Sequence, residues 1–595
     1  MRSLVRTAGA LFALSARADR GRLTRAAVLV LLGYLSTPLI ALTLMAFTNA
    51  VIGGDVATAT RFALAVSVLL VVELMAVHFA HLAYFEVGEL VEIELSAELG
   101  ELVHGVRGLD HFDDPQVTGS VALIREGIAQ TRAGIEALLQ FCGLALQVAV
   151  TAVVLGWLNP WLILLLPAAL PPVLLGGHAQ RLVDAAKEQS SQSTRLAAHL
   201  LAVATSPASV KEVRIFGSER ELLDRQGSSW SRVSALLARA QLKSALVRAL
   251  AQLLFALAYG GAIVTVISSA LAGRADLGQV VLVITLAVQV SVQVSSALAL
   301  LVLLQTSGLT QDRLATLRAR LGGRTETRPA RRPLPRRLTR GIRLENVSFA
   351  YPGTDRLVLR DVTLDIPHGG TVGVVGENGS GKSTLIKLLC GLYEPTAGRI
   401  LIDGVDLREF SPELWRARLA THFQDFARFE LRLRENVGLG RPDLIQDDQA
   451  LTGALRRVGI EGILDTVPGG LDGLLGHGYG DGVGLSEGQW QRLGLSRCHL
   501  REDPLLLLLD EPASALDAAA EHALFEQYAA SSRETARKSG TITIFMSHRF
   551  STVRLADMIV VLHQGRAAET GDHAGLMEAG GLYAELFGLQ ARLYR

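Results

Sequence analysis

The stretch Gly376-Glu377-Asn378-Gly379-Ser380-Gly381-Lys382-Ser383-Thr384 decides the fold of the second half of this 595-residue chain. It fits G-x-x-x-x-G-K-[ST], follows an apolar run at 371–375 that reads as a strand, and precedes a helical pattern. Glycines let backbone N–H groups and the helix N-terminus point at phosphate oxygens. Lys382 is expected to reach the β- and γ-phosphates of a nucleoside triphosphate, and the Ser383 hydroxyl to coordinate Mg²⁺. We call residues 376–384 the phosphate loop; its candidate ligand-binding residues are Gly376, Asn378, Gly379, Ser380, Gly381, Lys382, Ser383 and Thr384.

A second apolar run, 505–509, ends in two carboxylates, Asp510 and Glu511. Asp510 at the strand tip is predicted to hold the Mg²⁺ shell, and Glu511 to polarise a water for attack on the γ-phosphate. Taken alone, the segment also fits a core strand with a solvated acidic end. The phosphate loop upstream favours the catalytic interpretation.

The first half is a membrane domain by composition. Apolar residues make up 49% of the chain and charged residues 19%, and the apolar excess lies before residue 305. Spans of about 20 residues are needed to cross a bilayer. The predicted spans are 26–52, 62–85, 135–157, 161–177, 246–271 and 277–304. Six crossings place both ends of the chain on one side.

Basic residues identify that side as the cytoplasm. Arginines crowd the segment before the first span, and the 178–243 connection is rich in arginine and lysine, whereas the short opposite connections carry almost none. Residues 1–25 are predicted to form a cytoplasmic or interfacial amphipathic helix. A net charge of +1 gives no reason to expect a nucleic-acid partner.

The predicted architecture is an all-α six-helix transmembrane domain followed by an α/β P-loop NTPase domain with a helical subdomain. The membrane domain covers 26–320, an Arg/Pro-rich linker covers 321–340, and the ATP-binding domain covers 341–595. The polar connections 86–134 and 178–243 keep an apolar stripe, so we expect long helices that extend into the cytoplasm.

Further motifs stand in one order around the phosphate loop and the carboxylates. They are Tyr351, Gln424 in His422-Phe423-Gln424-Asp425, Leu485-Ser486-Glu487-Gly488-Gln489, Ser514-Ala515-Leu516-Asp517, and His548. Together they resemble the ATP-binding cassette (ABC) family. The resemblance implies that Tyr351 stacks on adenine, that Gln424 contributes to catalysis and the metal shell, and that His548 is catalytic. It also implies that Ser486, Gly488, Gln489 and Asp517 bind nucleotide.

In this family two ATP-binding domains close head to tail around two ATP molecules, so the resemblance implies a dimer. A homodimer is favoured over a heterodimer, because Asp510, Glu511 and His548 are all present. The first half resembles an exporter-type half-transporter: 111–119 looks like its first coupling segment, and 211–219 looks like the helix leading into the second. The partners so implied are a second half-transporter, the lipid bilayer and a small-molecule or peptide substrate. The abundance of arginine and alanine over lysine suggests a GC-rich bacterium, and the expected location is the bacterial cytoplasmic (inner) membrane.

Glu487 departs from the family, which usually has glycine there; we expect near-normal ATPase activity with it. Glu73, His78 and His81 lie within the second span, and each fits either a substrate- or proton-sensitive site or a polar group at a contact between helices or near the membrane boundary. Gln289, Gln293 and Ser296 share one face of the sixth span and could likewise line a cavity or join helices.

The favoured function is ATP-driven export of a hydrophobic or amphipathic compound: a peptide, a lipid or a drug-like natural product. An importer built on the exporter scaffold and the competent half of a heterodimer remain alternatives. A membrane-anchored regulatory ATPase is disfavoured, because coupling segments and a complete catalytic set would serve no purpose there. The residues identify neither the substrate nor the direction.

Overall fold

The computed structural model describes residues 2–106, 108–168, 170–206, 209–273, 275–322, 332–476, 478, 480–512, 538–547 and 550–593. The chain divides into two compact units. One comprises Met1–Glu101 and Ser120–Ala319, and the other comprises Leu102–Gly119 and Arg320–Arg595. We call them the membrane unit and the ATPase unit.

The membrane unit is helical. Its elements are α1 (Arg2–Ala18), α2 (Arg20–Ile52), α3 (Val56–His104), α4 (Pro115–Leu158), a 3-10 turn (Pro160–Leu164), α5 (Leu165–Ala168), α6 (Leu170–Thr205), α7 (Val210–Ile215), α8 (Glu219–Leu271) and α9 (Leu277–Gly322). Helices α3, α4, α8 and α9 have 44 to 53 residues. At 1.5 Å per residue, such helices are about twice as long as a bilayer core requires. The predicted extensions beyond the membrane are therefore continuous helix.

Helices cover all six predicted spans. Within the described residues, α2, α3, α4 and α8 are long and apolar enough to cross a membrane, and α9 contains a shorter apolar stretch, Leu277–Val290. The predicted fourth span, 161–177, is divided between the 3-10 turn, α5 and the start of α6. The backbone N–H of Trp161 donates to Asn159 Oδ1 at 3.0 Å, and Pro160 occupies the first position of the turn. This cap explains why the helix restarts at 160.

The N-terminal helix ends at Ala18, earlier than the predicted boundary at residue 25. Asp19 has an extended backbone, and its Oδ1 accepts a hydrogen bond from the Arg22 backbone N–H at 2.9 Å. An aspartate in this position caps the helix that follows. The basic residues at 20, 22 and 25 therefore belong to α2.

Polar side chains join helices within the membrane unit. Thr37 on α2 donates its hydroxyl to Glu73 Oε1 on α3 at 2.7 Å, and Gln289 on α9 donates to the Thr37 carbonyl at 3.4 Å. Tyr84 on α3 bonds to His81 at 2.6 Å and donates to Glu136 on α4 at 3.0 Å. Glu73 and Gln289 thus make contacts between helices, which was one of the two interpretations of these residues.

The ATPase unit is built on two sheets. Its strands are β1 (Gly341–Ala350), β2 (Leu357–Pro367), β3 (Thr371–Val375), β4 (Ala397–Ile402), β5 (Val405–Asp406), β6 (Leu419–His422), β7 (Leu506–Asp510), β8 (Ile542–Met546), β9 (Met558–His563) and β10 (Arg566–Gly571). One sheet has the order β2-β1-β4-β5 and is antiparallel, and the other has the order β10-β9-β3-β8-β7-β6. In the second sheet β9, β3, β8, β7 and β6 run parallel. This is the predicted α/β domain.

Helices surround these sheets and connect their strands. The described ones are α10 (Lys382–Leu389), α11 (Pro412–Ala417), α12 (Leu433–Gly438), α13 (Asp448–Arg457), α14 (Ile463–Thr466), α15 (Glu487–His499), α16 (Phe550–Val553), α17 (His573–Ala579) and α18 (Leu582–Leu593). Residues of α12, α13, α14 and α15 pack in one apolar cluster, which forms the predicted helical subdomain. Strands β3 and β8 are buried along their whole length, and β8 pairs in parallel with both β3 and β7, so the carboxyl ends of β3 and β7 lie at the same edge of the sheet.

The segment Leu102–Gly119 belongs to the ATPase unit, although it lies between two membrane helices in the sequence. The Leu109 backbone N–H donates to the Leu392 carbonyl at 3.0 Å, and the Tyr393 hydroxyl donates to Asp113 Oδ2 at 2.7 Å. Burial, with the nearby Asp113 carboxylate, raises the pKa of the Tyr393 hydroxyl. These contacts attach the predicted first coupling segment to the strand–helix core that carries the phosphate loop.

Candidate nucleotide site

The phosphate loop connects buried strand β3 to helix α10, as the motif predicts. Gly376, Gly379 and Gly381 have φ values of 155°, 81° and 104°, which side chains rarely tolerate. A Cβ at Gly376 would lie 2.2 Å from the Leu562 carbonyl oxygen of β9. The glycines therefore let the loop turn tightly against the sheet and expose its backbone N–H groups.

Lys382, the first residue of α10, is folded back over this loop. Its Nζ donates to the carbonyls of Gly376 at 2.8 Å and Glu377 at 3.0 Å. Burial lowers the pKa of Lys382, while the carboxylates of Glu511 and Asp510 act in the opposite direction. A buried ammonium whose bonds go to carbonyls is well placed to exchange them for phosphate oxygens.

The carboxylates at the end of β7 meet the phosphate loop. Asp510 is 4% exposed, and the Ser383 side chain hydrogen-bonds to it. Burial raises the pKa of the Asp510 carboxyl, Glu511 adds to this, and Lys382 opposes it. Ser383 and Asp510, both predicted Mg²⁺ ligands, are therefore brought together.

Glu511 has a strained backbone, with φ of 48°, a region that few residues other than glycine occupy. Its backbone N–H donates to the Met546 carbonyl at 3.2 Å, and Gln491 Nε2 donates to its carbonyl at 3.1 Å. Gln424 Nε2 donates to Glu511 Oε2 at 3.1 Å, which joins two predicted catalytic side chains. Strain of this kind persists where the surroundings impose it, and it is common at active sites.

Tyr351 lies next to the phosphate-loop helix. Its hydroxyl is 3.1 Å from Thr384 Oγ1, and its ring makes edge contacts with Phe349 and Tyr393 at centroid distances of 5.0 and 5.4 Å. Lys387 Nζ lies 5.6 Å from the ring centre. Tyr351 is thus held by an aromatic cluster beside the phosphate loop, where the family resemblance expects an adenine platform.

The signature residues begin helix α15. Ser486 Oγ accepts from the Gln489 backbone N–H at 3.3 Å, and Gln489 Oε1 accepts from the Ser486 N–H at 2.8 Å. This capping box defines where the helix starts. The Glu487 carboxylate, where the family usually has glycine, pairs with Arg428. Ser486 and Gln489 therefore hydrogen-bond to each other within the first turn of α15.

Two predicted site residues, Asp517 and His548, lie outside the described residues. Their roles remain predictions from the family resemblance.

One arginine side chain that the motifs did not indicate, Arg497, supports the site. Arg497 on α15 donates to the carbonyls of Asn436 at 2.9 Å and Ala427 at 3.0 Å, and lies 4.7 Å from the Phe429 ring centre. Burial lowers its pKa to about 10. The 424–436 segment, which carries Gln424, is thus attached to the signature helix. Arg497 is 61 positions from Asn436 and 70 from Ala427 in the sequence, and no spacing rule predicts contacts over such separations.

The residues present fit ATP with Mg²⁺. The buried Ser380 Oγ has no hydrogen-bond partner among the described residues, and Gly376 and Gly381 pack so closely on Leu562 and Leu359 that a Cβ at either position would clash. The donors are backbone N–H groups and Lys382, which suit phosphate, and the hydroxyl and carboxylate oxygens of Ser383 and Asp510 suit Mg²⁺.

A buried histidine near the site makes stability depend on pH. His422 is 2% exposed, its ring stacks on Phe426 at 5.1 Å, and burial lowers its pKa to about 3. The unfolded chain binds this proton near the usual 6.5, so the stabilisation is complete above that pH and is lost as pH falls towards 3. His499, with a pKa lowered to about 4, acts in the same direction.

We expect His422 alone to reduce the free energy of unfolding by about 2 kcal/mol between pH 7 and pH 5. Thermal unfolding of the full chain in nanodiscs, followed by tryptophan fluorescence at both pH values, measures this change. His422→Gln should remove roughly half of the pH dependence, since His499 retains its share. An unchanged pH dependence in His422→Gln would contradict the assignment.

Comparison with known proteins agrees with both units. The ABC transporter family matches residues 359–514, and the ABC transporter transmembrane region matches residues 23–294. A solved structure of a bacterial Atm1-family ABC exporter with ATP bound superposes with a TM-score of 0.75 at 25% identity. That alignment covers 96% of this chain and 99% of that one.

Curated relatives match over shorter stretches. An ATP-dependent lipid A-core flippase of Chromobacterium violaceum is 41% identical over 253 residues, 42% of this chain and 41% of that protein. A subtilin transport ATP-binding protein of Bacillus subtilis is 37% identical over 242 residues, 41% of this chain and 38% of that protein. The chain thus aligns with about two fifths of the length of these relatives. Since the two family matches together cover most of the chain, and the solved exporter shares its whole fold, this chain belongs to the ABC transporter family.

Proposed function

We propose that this protein uses ATP hydrolysis to export a hydrophobic or amphipathic compound across a membrane. The observation that carries the proposal is the convergence of Lys382, Ser383, Asp510 and Glu511 on one loop, in a chain that also has several apolar helices. The proposed division is a transmembrane domain at 26–320, a linker at 321–340 and an ATP-binding domain at 341–595.

The residues have distinct proposed roles in hydrolysis. The phosphate loop and Lys382 bind and orient the β- and γ-phosphates, and Tyr351 supports the base. Ser383 and Asp510, with Gln424, would hold Mg²⁺, which would neutralise phosphate charge. Glu511 orients and deprotonates the attacking water, and Gln424 positions the Glu511 carboxylate. His548 is proposed to assist at the γ-phosphate, and Asp517 to bind nucleotide.

The working assembly is proposed to be a dimer, and a homodimer is favoured. Ser486, Gly488 and Gln489 would complete the site of the other copy. Helix α7, which leads into the predicted second coupling segment, ends at Ile215 and is followed by Phe216; these two residues are 80% and 75% exposed. Apolar side chains this exposed at a helix end are suited to docking. The competent half of a heterodimer is the alternative.

The proposed substrates are lipids or peptides. Relatives include a lipid A-core flippase and transporters for subtilin and nisin, and these names indicate amphipathic cargo. The proposed location is a bacterial cytoplasmic membrane with both termini in the cytoplasm, as the basic residues indicate.

The test is ATPase activity of the purified chain in lipid nanodiscs, with a panel of amphipathic peptides, lipids and drugs. We expect basal hydrolysis that some compounds change by more than about twofold. A regulatory ATPase would ignore every compound, and a heterodimer half would be inert alone. Flux in inside-out vesicles then distinguishes export, which accumulates the compound inside, from import.

A further inference from the structure

The signature helix α15 begins with an acidic side chain at an unusual place. Glu487 is its first residue, directly after the capping Ser486. A carboxylate there favours the isolated helix, because it complements the positive end of the helix dipole. The same carboxylate cancels the potential that a helix N-terminus offers to a phosphate. A compensating positive charge is therefore needed if the N-terminus of α15 is to bind a phosphate of ATP.

Arg428 supplies that charge. Its Nη2 pairs with Glu487 Oε1, and the two side chains are 50% and 57% exposed. The guanidinium also lies 5.8 Å from the ring centre of Phe426, which itself stacks on His422. Arg428, four residues after Gln424, thus lies beside an aromatic stack, and its guanidinium contacts the first residue of α15.

Fold stability does not explain this pair. An ion pair this exposed contributes little to stability, on the order of 0–1 kcal/mol. Its location, between the segment carrying Gln424 and the first turn of the signature helix, instead suits a task at the surface that the proposed dimer would turn towards the second copy.

We propose that Arg428 neutralises Glu487 and so allows the signature surface to accept the terminal phosphate of ATP bound by the partner copy. The inference rests on the proposed homodimer and deepens it. Arg428 is a positioning residue, because it acts on the phosphate through Glu487. The pair explains why an acidic residue is compatible with activity at this place in the motif.

The test is a double-substitution cycle on the full chain in nanodiscs, with kcat and the KM for ATP measured separately. Arg428→Ala should raise KM about fivefold with a smaller effect on kcat, because the exposed carboxylate then repels the phosphate. Glu487→Gln should shift KM by less than about threefold. Adding Glu487→Gln to Arg428→Ala should bring KM back to within about twofold of wild type.

This pattern separates a charge effect from a structural tether. A tether would make each single substitution equally harmful and the double substitution no better. Arg428→Lys, which keeps the charge, should stay close to wild type. Arg456→Ala is the matched control: it breaks an exposed pair with Glu461, 68% and 42% exposed, in the same helical subdomain, and should leave KM unchanged.

The outcomes distinguish the inference from the proposed function. A wild-type protein without ATPase activity overturns the homodimer and the inference with it. An active wild type in which Arg428→Ala leaves KM unchanged, or in which Glu487→Gln gives no rescue, overturns the inference alone.

Discussion

Replacing Glu511 with glutamine is expected to reduce ATP turnover at least about 100-fold while ATP binding is retained. Glutamine has nearly the same shape and can still accept the hydrogen bond that Gln424 Nε2 donates. It cannot take a proton from water at neutral pH, so only the chemical step is lost. The measurements are kcat in nanodiscs and the affinity for a fluorescent ATP analogue.

Glu502→Gln provides the matched control for this prediction. Glu502 is also an acidic residue of the ATPase unit, but its side chain is 76% exposed and pairs with Arg441. We expect its kcat to stay within about twofold of wild type, since surface pairs contribute little. If Glu511→Gln kept more than about a tenth of the wild-type turnover, the general base would have to be another group.

The local parts of the site were predictable from sequence. The phosphate loop, β3 and α10 form one continuous stretch, so glycine spacing and flanking apolar runs are enough to predict strand, loop and helix. The same holds for β7 and its terminal carboxylates. Long helices with an apolar stripe also follow from periodicity, because each turn is made by neighbours in sequence.

Contacts between distant segments were not predictable. The Asp113–Tyr393 bond spans 280 positions, and the pair of Arg428 with Glu487 spans 59. Such pairs arise from packing of whole elements, which no local pattern encodes. The family resemblance indicated that Glu487 is unusual at its position, but it contained no signal that Arg428 forms an ion pair with it. The break at Asp19 is the converse case, because the capping aspartate is a local signal: it ends the first helix within the basic run, seven residues before the boundary that the basic residues alone predict.

Gly376→Ala is expected to be the most damaging of the small substitutions in the phosphate loop. Gly376 has φ of 155°, and an added Cβ would lie 2.2 Å from the Leu562 carbonyl oxygen and 2.7 Å from Ser380 Oγ. Leu562 is fully buried in β9, which pairs with β3, so its backbone cannot move without displacing the sheet. We expect Gly376→Ala to lower the free energy of unfolding by about 3 kcal/mol or more, through steric overlap and backbone strain.

Gly379→Ala isolates the steric part of this effect. Gly379 also has positive φ, 81°, but nothing lies within 4 Å of a Cβ built on it. Gly379→Ala should therefore lower the free energy of unfolding by only about 1–2 kcal/mol, the cost of placing alanine in a left-handed backbone conformation. Thermal unfolding of both variants without nucleotide compares them directly, and Gly376→Ala should melt at the lower temperature. Equal unfolding temperatures would mean that β9 yields to the added methyl group, and that backbone conformation alone requires glycine at this turn.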